Sequence, residues 1–120
     1  MIFKSLIKHK RVYENKEESD GKWVLVERLW PRGIKKEKID IWIKEVAPSE
    51  ELRRWYSHDE SKFDEFKARY LEELKKNKAV SELLDLIKKE NVTLVYATKD
   101  FDKSGAKVLI EYLEEMLSKG

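Results

Sequence analysis

Blocks of apolar and polar positions along the chain predict strands separated by helices. Residues 23–26 (WVLV) and 92–97 (VTLVYA) are short apolar runs rich in β-branched and aromatic residues. Runs of this kind are typical of strands that are covered on both faces. A further short strand is predicted over Ile2 to Ile7, and a surface loop over Glu14 to Lys22, which ends in Asp-Gly.

After the first apolar run the hydrophobic period becomes that of helices. Asp59 is a suitable N-cap for a helix whose apolar residues form one stripe: Phe63, Phe66, Tyr70, Leu71 and Leu74. A second stripe consists of Val80, Leu83, Leu84 and Ile87, and a third of Ala106, Leu109, Ile110, Leu113, Met116 and Leu117. Shorter helical segments are predicted over Ile39 to Glu45 and over Glu50 to Trp55.

Covered strands that alternate with amphipathic helices predict an α/β fold, with one small, mainly parallel sheet flanked by helices in three layers. The 120 residues fit a single domain, since no linker, repeat or low-complexity tract interrupts them. In such folds ligands bind beyond the carboxyl ends of the strands. We therefore expect a functional site around Glu27 to Gly33 and Thr98 to Gly105.

Composition excludes several kinds of site. The chain has no cysteine, which excludes disulfides, thiolate nucleophiles and cysteine-ligated metals. Neither His9 nor His58 has a metal-ligand spacing, so we expect no metal and no cofactor. Charged residues make up 42% of the chain but nearly cancel, leaving a net charge of +2. This balance argues against a strong electrostatic footprint for nucleic acid or membrane.

The sequence also suggests where in the cell the protein is located and how it tolerates heat. No apolar run is long enough to span a bilayer, and the amino terminus lacks the apolar segment of a signal peptide, so a cytoplasmic location is expected. Glutamine is absent, asparagine is scarce, and lysine and glutamate are abundant. Such a composition is typical of proteins from hot environments.

The first candidate site follows the first apolar run, where Glu27 and Arg28 introduce charge abruptly. The strand is expected to end in these two residues, whose side chains should then point to opposite faces. An arginine at a strand end suits planar recognition of a carboxylate or phosphate. A proline and a glycine then predict a shaped turn through Trp30 and Arg32. The alternative is structural, with Arg28 satisfying a buried carboxylate, Trp30 in the core and Arg32 in solvent.

Two other segments have both functional and structural interpretations. Thr98 to Gly105 predicts a loop leading into a helix N-terminus that an anion could approach, but capping by Asp102 or Ser104 is the simpler explanation. Residues 53–56 (RRWY) mix guanidinium groups with aromatic rings, as single-strand nucleic-acid surfaces and protein interfaces do, although core packing also explains the rings. Arg69 and Glu73 are spaced for a solvated ion pair.

Several long strings in the chain resemble one known family. They are KRVYE (10–14), DGKWVLVERLWPRG (20–33), WIKEVAPSEELRRWYSHD (42–59), FKARYLEEL (66–74) and TLVYATKD (93–100). The sequence resembles the domain of unknown function 488 family, in its YeaO-like branch. That resemblance implies a compact α/β domain, no established activity and a shared surface at recurring positions, which are Arg11, Arg28, Trp30, Pro31, Arg32, Asp40, Trp42, Ser49, Arg53, Trp55, Arg69, Tyr70 and Asp100.

The chain departs from this family in one segment. After the aspartate that matches Asp100, relatives usually carry a His-Asn-His-like stretch, whereas this chain has Lys103, Ser104 and Gly105. If that stretch carries chemistry in the relatives, the chemistry is expected to be altered here.

Three hypotheses follow. The first is a pocket for a small anionic ligand bearing a phosphate or carboxylate, whether or not the protein is an enzyme. Its candidate binding residues are Arg28, Trp30, Arg32, Trp42, Arg53 and Arg69, with Trp55 as a further wall, and its acid–base candidates are Glu27, Asp40 and Asp100. The second is a nucleic-acid-associated binding or regulatory module that uses the same arginines and aromatic residues. The third is a homo-oligomer with tryptophans at its interface.

Overall fold

The computed structural model describes residues 7–57 and 59–119. They form four parallel strands, β1 (Lys8–Arg11), β2 (Lys22–Leu25), β3 (Ile41–Trp42) and β4 (Val92–Tyr96). The four α-helices are α1 (Glu50–Tyr56), α2 (Phe63–Lys75), α3 (Lys78–Lys89) and α4 (Gly105–Lys119). The predicted α/β fold with a parallel sheet is confirmed.

The two apolar runs form the centre of the sheet, whose strand order is β1-β4-β2-β3. Leu94 of β4 lies beside His9 of β1 on one side and beside Val24 of β2 on the other. Val24 in turn pairs with Ile41 of β3. Because every pairing is parallel, the carboxyl ends of all four strands lie at the same end of the sheet.

Alternate residues of the central strands contribute to two separate cores. One core joins the sheet to buried residues of all four helices. Its members on the central strands are Val24, Val92, Leu94 and Tyr96, and Val26, just beyond β2, also belongs to it. The other core, on the opposite face, consists of Val12, Trp23, Leu25, Ile39 and Val95, with Trp30 and Ile34 packed against it. In the described part of the chain, the irregular segment between β2 and β3 therefore covers the face opposite the helices.

Most of the predicted helices are confirmed. The stripes of α2, α3 and α4 face the core, and α1 covers the predicted segment Glu50 to Trp55. The Ser49 hydroxyl caps α1, accepting a hydrogen bond from the Leu52 N–H at 3.2 Å. Asp59 caps a 3₁₀ turn, Glu60–Lys62, that leads directly into α2.

The helix predicted over Ile39 to Glu45 is wrong. This segment contains β3 and the start of a 3₁₀ turn, Lys44–Val46. Isoleucines at positions 39, 41 and 43 alternate as they do in a strand, and their branched side chains favour extended backbone. Hydrogen bonding to the exposed edge of β2 stabilises that conformation.

Strand β1 is absent from the sequence prediction because its residues are polar. Lys8 and His9 are exposed, and Lys10 and Arg11 are half-buried. A strand at the edge of a sheet tolerates such residues, since only one of its sides is paired. Apart from Ile7, the strand predicted over Ile2 to Ile7 lies outside the described residues.

A buried carboxylate, that of Asp20, stabilises the loop before β2. Its Oδ2 accepts hydrogen bonds from the Glu17 N–H at 2.9 Å, from the Trp23 indole at 3.0 Å and from the Lys10 ammonium at 3.0 Å. Burial by itself would raise the pKa of Asp20, but these three donors together lower it to about 2. The predicted surface loop thus ends in an ordered polar network.

Replacing Gly21, the residue that follows this carboxylate, is expected to destabilise the fold strongly. Its φ is +67°, and a Cβ at this position would lie 2.0 Å from the carbonyl oxygen of Asn91. That oxygen accepts the hydrogen bond from Lys22 N–H at 3.0 Å that positions the start of β2. We expect Gly21→Ala to lower the free energy of unfolding in urea by about 3 kcal/mol or more.

Gly33→Ala is the matched control. Gly33 also has a positive φ, +79°, but no atom lies within 4 Å of its hypothetical Cβ. Only backbone strain remains, for which we expect a loss of about 1–2 kcal/mol. Equal losses in the two variants would show that close approach to Asn91 is unimportant.

Candidate ligand-binding cleft at the carboxyl ends of the strands

An open cleft of about 920 Å³ lies at the carboxyl ends of β2 and β4. Its lining comes from the turn after β2, the loop after β4, α1, the 3₁₀ turn before α2 and the start of α4. Both segments in which the sequence predicts a site, 27–33 and 98–105, contribute to this lining. The cleft is therefore where parallel α/β folds ordinarily bind ligands.

Arg28 is half-buried in the wall of the cleft. Its Nε donates a hydrogen bond to the Pro48 carbonyl at 3.0 Å, and its Nη2 donates to the Ala47 carbonyl at 3.4 Å. Within residues 7–57 and 59–119, no carboxylate forms an ion pair with Arg28, so the structural alternative of a buried carboxylate partner is not observed. Its guanidinium is held by neutral carbonyl acceptors.

Glu27 lines the cleft beside Arg28. The strand predicted to end in Glu27 and Arg28 is wrong, because β2 ends at Leu25 and a bend follows. Both side chains therefore line the same cleft instead of opposite faces of a sheet. The Glu27 carboxylate accepts a hydrogen bond from the Ala97 N–H at 2.7 Å, which ties the two central strands together beyond their ends. This carboxylate is therefore part of the scaffold of the cleft.

Both signs of charge occur around the rest of the lining. The further cations are Arg53, Arg54 and Lys103, and the further acids are Asp59, Glu60 and Asp100. Glu50, on the same helix as the two arginines, lies 3.0 Å from Arg54 and 3.7 Å from Arg53. The pKa of Glu60 is raised, chiefly by a hydrogen bond with the Asp100 carboxyl and to a smaller extent by charge repulsion between the two groups.

Between these charged groups the lining is apolar. The ring of Tyr56 stacks on that of Phe66, with centroids 4.2 Å apart. Val26, Pro48 and Ala106 add aliphatic surface. A Cβ on Gly105 would lie 3.0 Å from Cγ of Pro48, so a glycine here lets the start of α4 approach that wall.

Lys103, Ser104 and Gly105 lie where the loop after β4 leads into α4. The Ser104 hydroxyl accepts a hydrogen bond from the Lys107 N–H at 3.3 Å and donates to the Phe101 carbonyl at 2.6 Å, so the predicted capping is confirmed. The Lys103 ammonium lies 5.0 Å from the centroid of the Phe63 ring. Lys103, Ser104 and Gly105 all line the cleft, and each also has a structural contact.

The structure brings together some of the predicted site residues and separates others. Glu27, Arg28, Trp30, Arg53 and Asp100 line the cleft. Asp40 lies at the opposite end of the sheet, before β3, where it accepts hydrogen bonds from the Trp23 N–H at 2.8 Å and from Lys16 at 2.7 Å. These contacts make Asp40 part of the link between β2 and the loop before it.

Arg32 and Trp42 are near cleft residues in the sequence, but neither side chain lines the cleft. Arg32 is exposed, and its carbonyl accepts a hydrogen bond from the Tyr13 hydroxyl at 2.9 Å. The ring of Trp42 packs edge-on against Trp30, with centroids 5.4 Å apart, and its indole N–H donates to the Glu27 carbonyl at 2.7 Å. Trp42 thus supports the turn that carries Trp30.

Arg69 belongs to a different surface, a shallow depression beside Trp55. Its guanidinium lies 4.4 Å from the Trp55 ring centroid and pairs with Glu65. The predicted pairing of Arg69 with Glu73 is wrong, because Glu73 instead accepts hydrogen bonds from the Ser49 N–H at 2.8 Å and hydroxyl at 2.6 Å. This carboxylate supports the start of α1.

Glu60 lines the cleft but was not among the residues proposed from the sequence. Tyr56 and Lys103 lie in two segments that the sequence did single out, 53–56 and 98–105. Glu60 follows the N-cap Asp59 and looks like an ordinary first-turn acid. Only the tertiary structure shows that Glu60 meets Asp100.

The histidines do not indicate a metal centre. The Nδ1 of His9 lies 2.9 Å from the Tyr96 hydroxyl, and its ring stacks on Phe101 at 4.7 Å. His58 lies outside the described residues. Over the ranges 7–57 and 59–119, no three His, Asp or Glu side chains are arranged to hold a metal ion. The same part of the chain contains no helix long and apolar enough to cross a membrane.

Comparison with known proteins shows the family. Residues 6–120 match the family model described as "Inactive DUF488-N3 subclade". Uncharacterized proteins of Mycobacterium bovis and Mycobacterium tuberculosis H37Rv are each 45% identical over 115 residues, covering 94% of this chain and 98% of theirs. YeaO of Escherichia coli K12 is 41% identical over 113 residues, covering 92% and 98%. No solved structure matches the chain. The chain therefore belongs to the DUF488 family, in the subclade described as inactive DUF488-N3.

Proposed function

We propose that the protein binds a small anionic ligand in the cleft and does not convert it. The observation that carries the proposal is Arg28, a half-buried cation in the wall of a large cleft with no described carboxylate as partner. A carboxylate or phosphate group is the natural counter-ion for such a guanidinium. Since Arg28 is already held by two carbonyl oxygens, little side-chain freedom is lost on binding.

Binding without catalysis is supported by two further observations. The family model that matches the chain is described as inactive. Of the acid–base candidates, Glu27 is hydrogen-bonded to the backbone of β4, and Asp40 lies at the other end of the sheet. Asp100 stands in the cleft, but its neighbour is another carboxyl, that of Glu60. This set offers no nucleophile paired with a base.

A titration with inorganic phosphate, followed by ¹H–¹⁵N NMR at constant ionic strength, tests the proposal. We expect the largest shifts in the backbone amides that line the cleft, above all Ala97, Thr98, Gly105 and Ala106. Titration with sodium chloride over the same ionic strengths is the control for non-specific screening. Shifts confined to the depression around Trp55 and Arg69, or none at all, would refute the proposal.

The pH dependence of sulfate binding gives a further prediction. Sulfate keeps its charge between about pH 7 and pH 4, whereas Glu60, whose pKa is raised, takes up a proton earlier than an ordinary glutamate as the pH falls. Losing a negative charge from the cleft should strengthen anion binding, by about two- to fivefold over this range in isothermal titration calorimetry.

Glu60→Gln should remove most of that gain, while Glu65→Gln, an acid of α2 outside the cleft lining, should keep it. The three proteins share every other titratable group of the cleft, so the difference between variants isolates Glu60. An unchanged pH profile in Glu60→Gln would contradict the assigned role of its carboxyl.

A nucleic-acid-associated module is the second candidate, and one observation favours it. Trp42 is 39% exposed, and the Lys44 ammonium lies 5.4 Å from its ring centroid. Exposed rings beside cations are typical of single-strand binding surfaces. Salt separates the two candidates, because binding of a single-stranded oligonucleotide should weaken steeply as salt rises, and phosphate binding in the cleft should weaken less.

Two expectations from composition go with the proposal: a cytoplasmic location and adaptation to heat. Self-association through the four tryptophans is less favoured, because Trp23 is fully buried in the sheet core and Trp30 and Trp55 are only partly accessible. Light scattering of the protein in solution tests this third hypothesis directly.

A further inference from the structure

The apolar part of the cleft bears on what kind of anion fits it. The stacked rings of Tyr56 and Phe66 lie among the lining residues, together with Val26, Pro48 and Trp30. Leu29, which is 58% exposed, also contributes to the lining. The rings of Tyr56 and Phe66 are almost fully buried, so the apolar surface open to a ligand comes mainly from Leu29, Trp30 and Pro48. A bare inorganic anion would leave that surface in contact with water.

Two aromatic residues of the lining, Tyr56 and Trp30, carry a polar atom, and in each case that atom donates a hydrogen bond within the protein. The Tyr56 hydroxyl donates to the Lys103 carbonyl at 2.7 Å. The Trp30 indole N–H donates to the Ile34 carbonyl at 2.8 Å. What these side chains offer a ligand is therefore mainly carbon surface, which suits an apolar or aromatic group and gives no hydrogen bonds to sugar hydroxyls.

We propose that the ligand is amphipathic, with one phosphate or carboxylate group and a flat apolar body, as in an aryl phosphate or an aryl carboxylate. This inference rests on the proposed function, since Arg28 binds the anionic group. The body lies against Trp30 and Leu29 and displaces water from them. Burial of that apolar surface supplies affinity that the exposed charges around the cleft do not.

Calorimetry with three phosphate compounds tests the inference: phenyl phosphate, glycerol phosphate and inorganic phosphate. We expect phenyl phosphate to bind at least about tenfold more tightly than glycerol phosphate, because the two share a monoester group and differ in the body. Benzyl alcohol, which carries the ring without the anion, should bind much more weakly than phenyl phosphate.

Variants of the lining test which side chains contact the apolar body of the ligand. Trp30→Leu and Leu29→Ser should each reduce the preference for phenyl phosphate over glycerol phosphate. Leu29 is exposed, so its replacement does not endanger the fold. Trp55→Leu, outside the cleft lining, is the matched tryptophan control and should keep the full preference.

The outcomes separate this inference from the proposed function. Equal affinity for all three phosphate compounds would overturn the amphipathic ligand and leave the anion site standing. No binding of any of them would overturn both. A preference for phenyl phosphate that survives in Trp30→Leu and Leu29→Ser but disappears in Trp55→Leu would place the apolar body elsewhere and overturn the inference.

Discussion

Arg28→Ala is expected to weaken the binding of inorganic phosphate about tenfold or more in calorimetry. The variant removes the half-buried guanidinium that no described carboxylate neutralises, and charge-assisted hydrogen bonds contribute about 1.5–3 kcal/mol. It also removes the hydrogen bonds to Pro48 and Ala47, so we expect the free energy of unfolding to fall by about 1–2 kcal/mol. The fold should survive, which circular dichroism and urea unfolding can verify.

Two further variants test whether the loss of phosphate binding is specific to Arg28. Arg32→Ala removes an exposed arginine four positions away that does not line the cleft, and it should bind phosphate as the unmodified protein does. Arg28→Lys keeps the charge but cannot hold two carbonyl oxygens and present a planar donor face together, so we expect intermediate binding. If Arg28→Ala and Arg32→Ala weaken binding equally, only net charge matters and the cleft has no special role.

Asp20→Ala is expected to lower the free energy of unfolding by about 3–5 kcal/mol. The substitution leaves the Trp23 indole and the Lys10 ammonium without the acceptor that both share. Asp40→Ala is the matched control, because Asp40 also accepts a backbone hydrogen bond and pairs with a lysine, but its side chain is 37% exposed rather than 6%. We expect a loss of about 1 kcal/mol there, measured by urea unfolding. Losses of similar size would mean that burial of Asp20 adds nothing.

The Asp20 carboxylate also makes the free energy of unfolding depend on pH in the acid range. The pKa of Asp20 is lowered from 3.8 to about 2 on folding, so the unfolded chain binds this proton first. Asp20 contributes about 2 kcal/mol to the free energy of unfolding through this shift. The contribution is complete above about pH 4 and is lost as the pH falls towards about 2. Asp20→Asn should flatten this part of the profile. A profile unchanged by the substitution would assign the acid sensitivity to other groups.

The sequence was sufficient for the centre of the fold and insufficient for its edges. Residues 23–26 and 92–97 are apolar on both faces, and that property alone indicates central strands of a covered sheet. Strand β1 is polar and β3 has only two residues, so neither forms an apolar run like those of β2 and β4. Both depend on pairing with a neighbour already in place, which local sequence does not reveal.

The candidate site was predictable to the same extent. Arg28 and Asp100 follow the two central strands, so parallel pairing brings them to one end of the sheet. Asp40 could not be placed, because a helix was expected where β3 begins. Arg69 lies on a part of α2 that faces Trp55 instead of the strand ends. The meeting of Glu60 with Asp100 depends on how the turn before α2 packs, which no local pattern encodes.

The central claim is that the cleft holds an anion at Arg28. The most direct test is a crystal structure of the protein soaked in tungstate, a tetrahedral dianion whose position is unambiguous in anomalous difference maps. We predict a tungstate within hydrogen-bond distance of the Arg28 guanidinium, inside the cleft between the loops that follow β2 and β4. An empty cleft, with tungstate bound only on the surface beside Arg69 and Trp55, would contradict the claim.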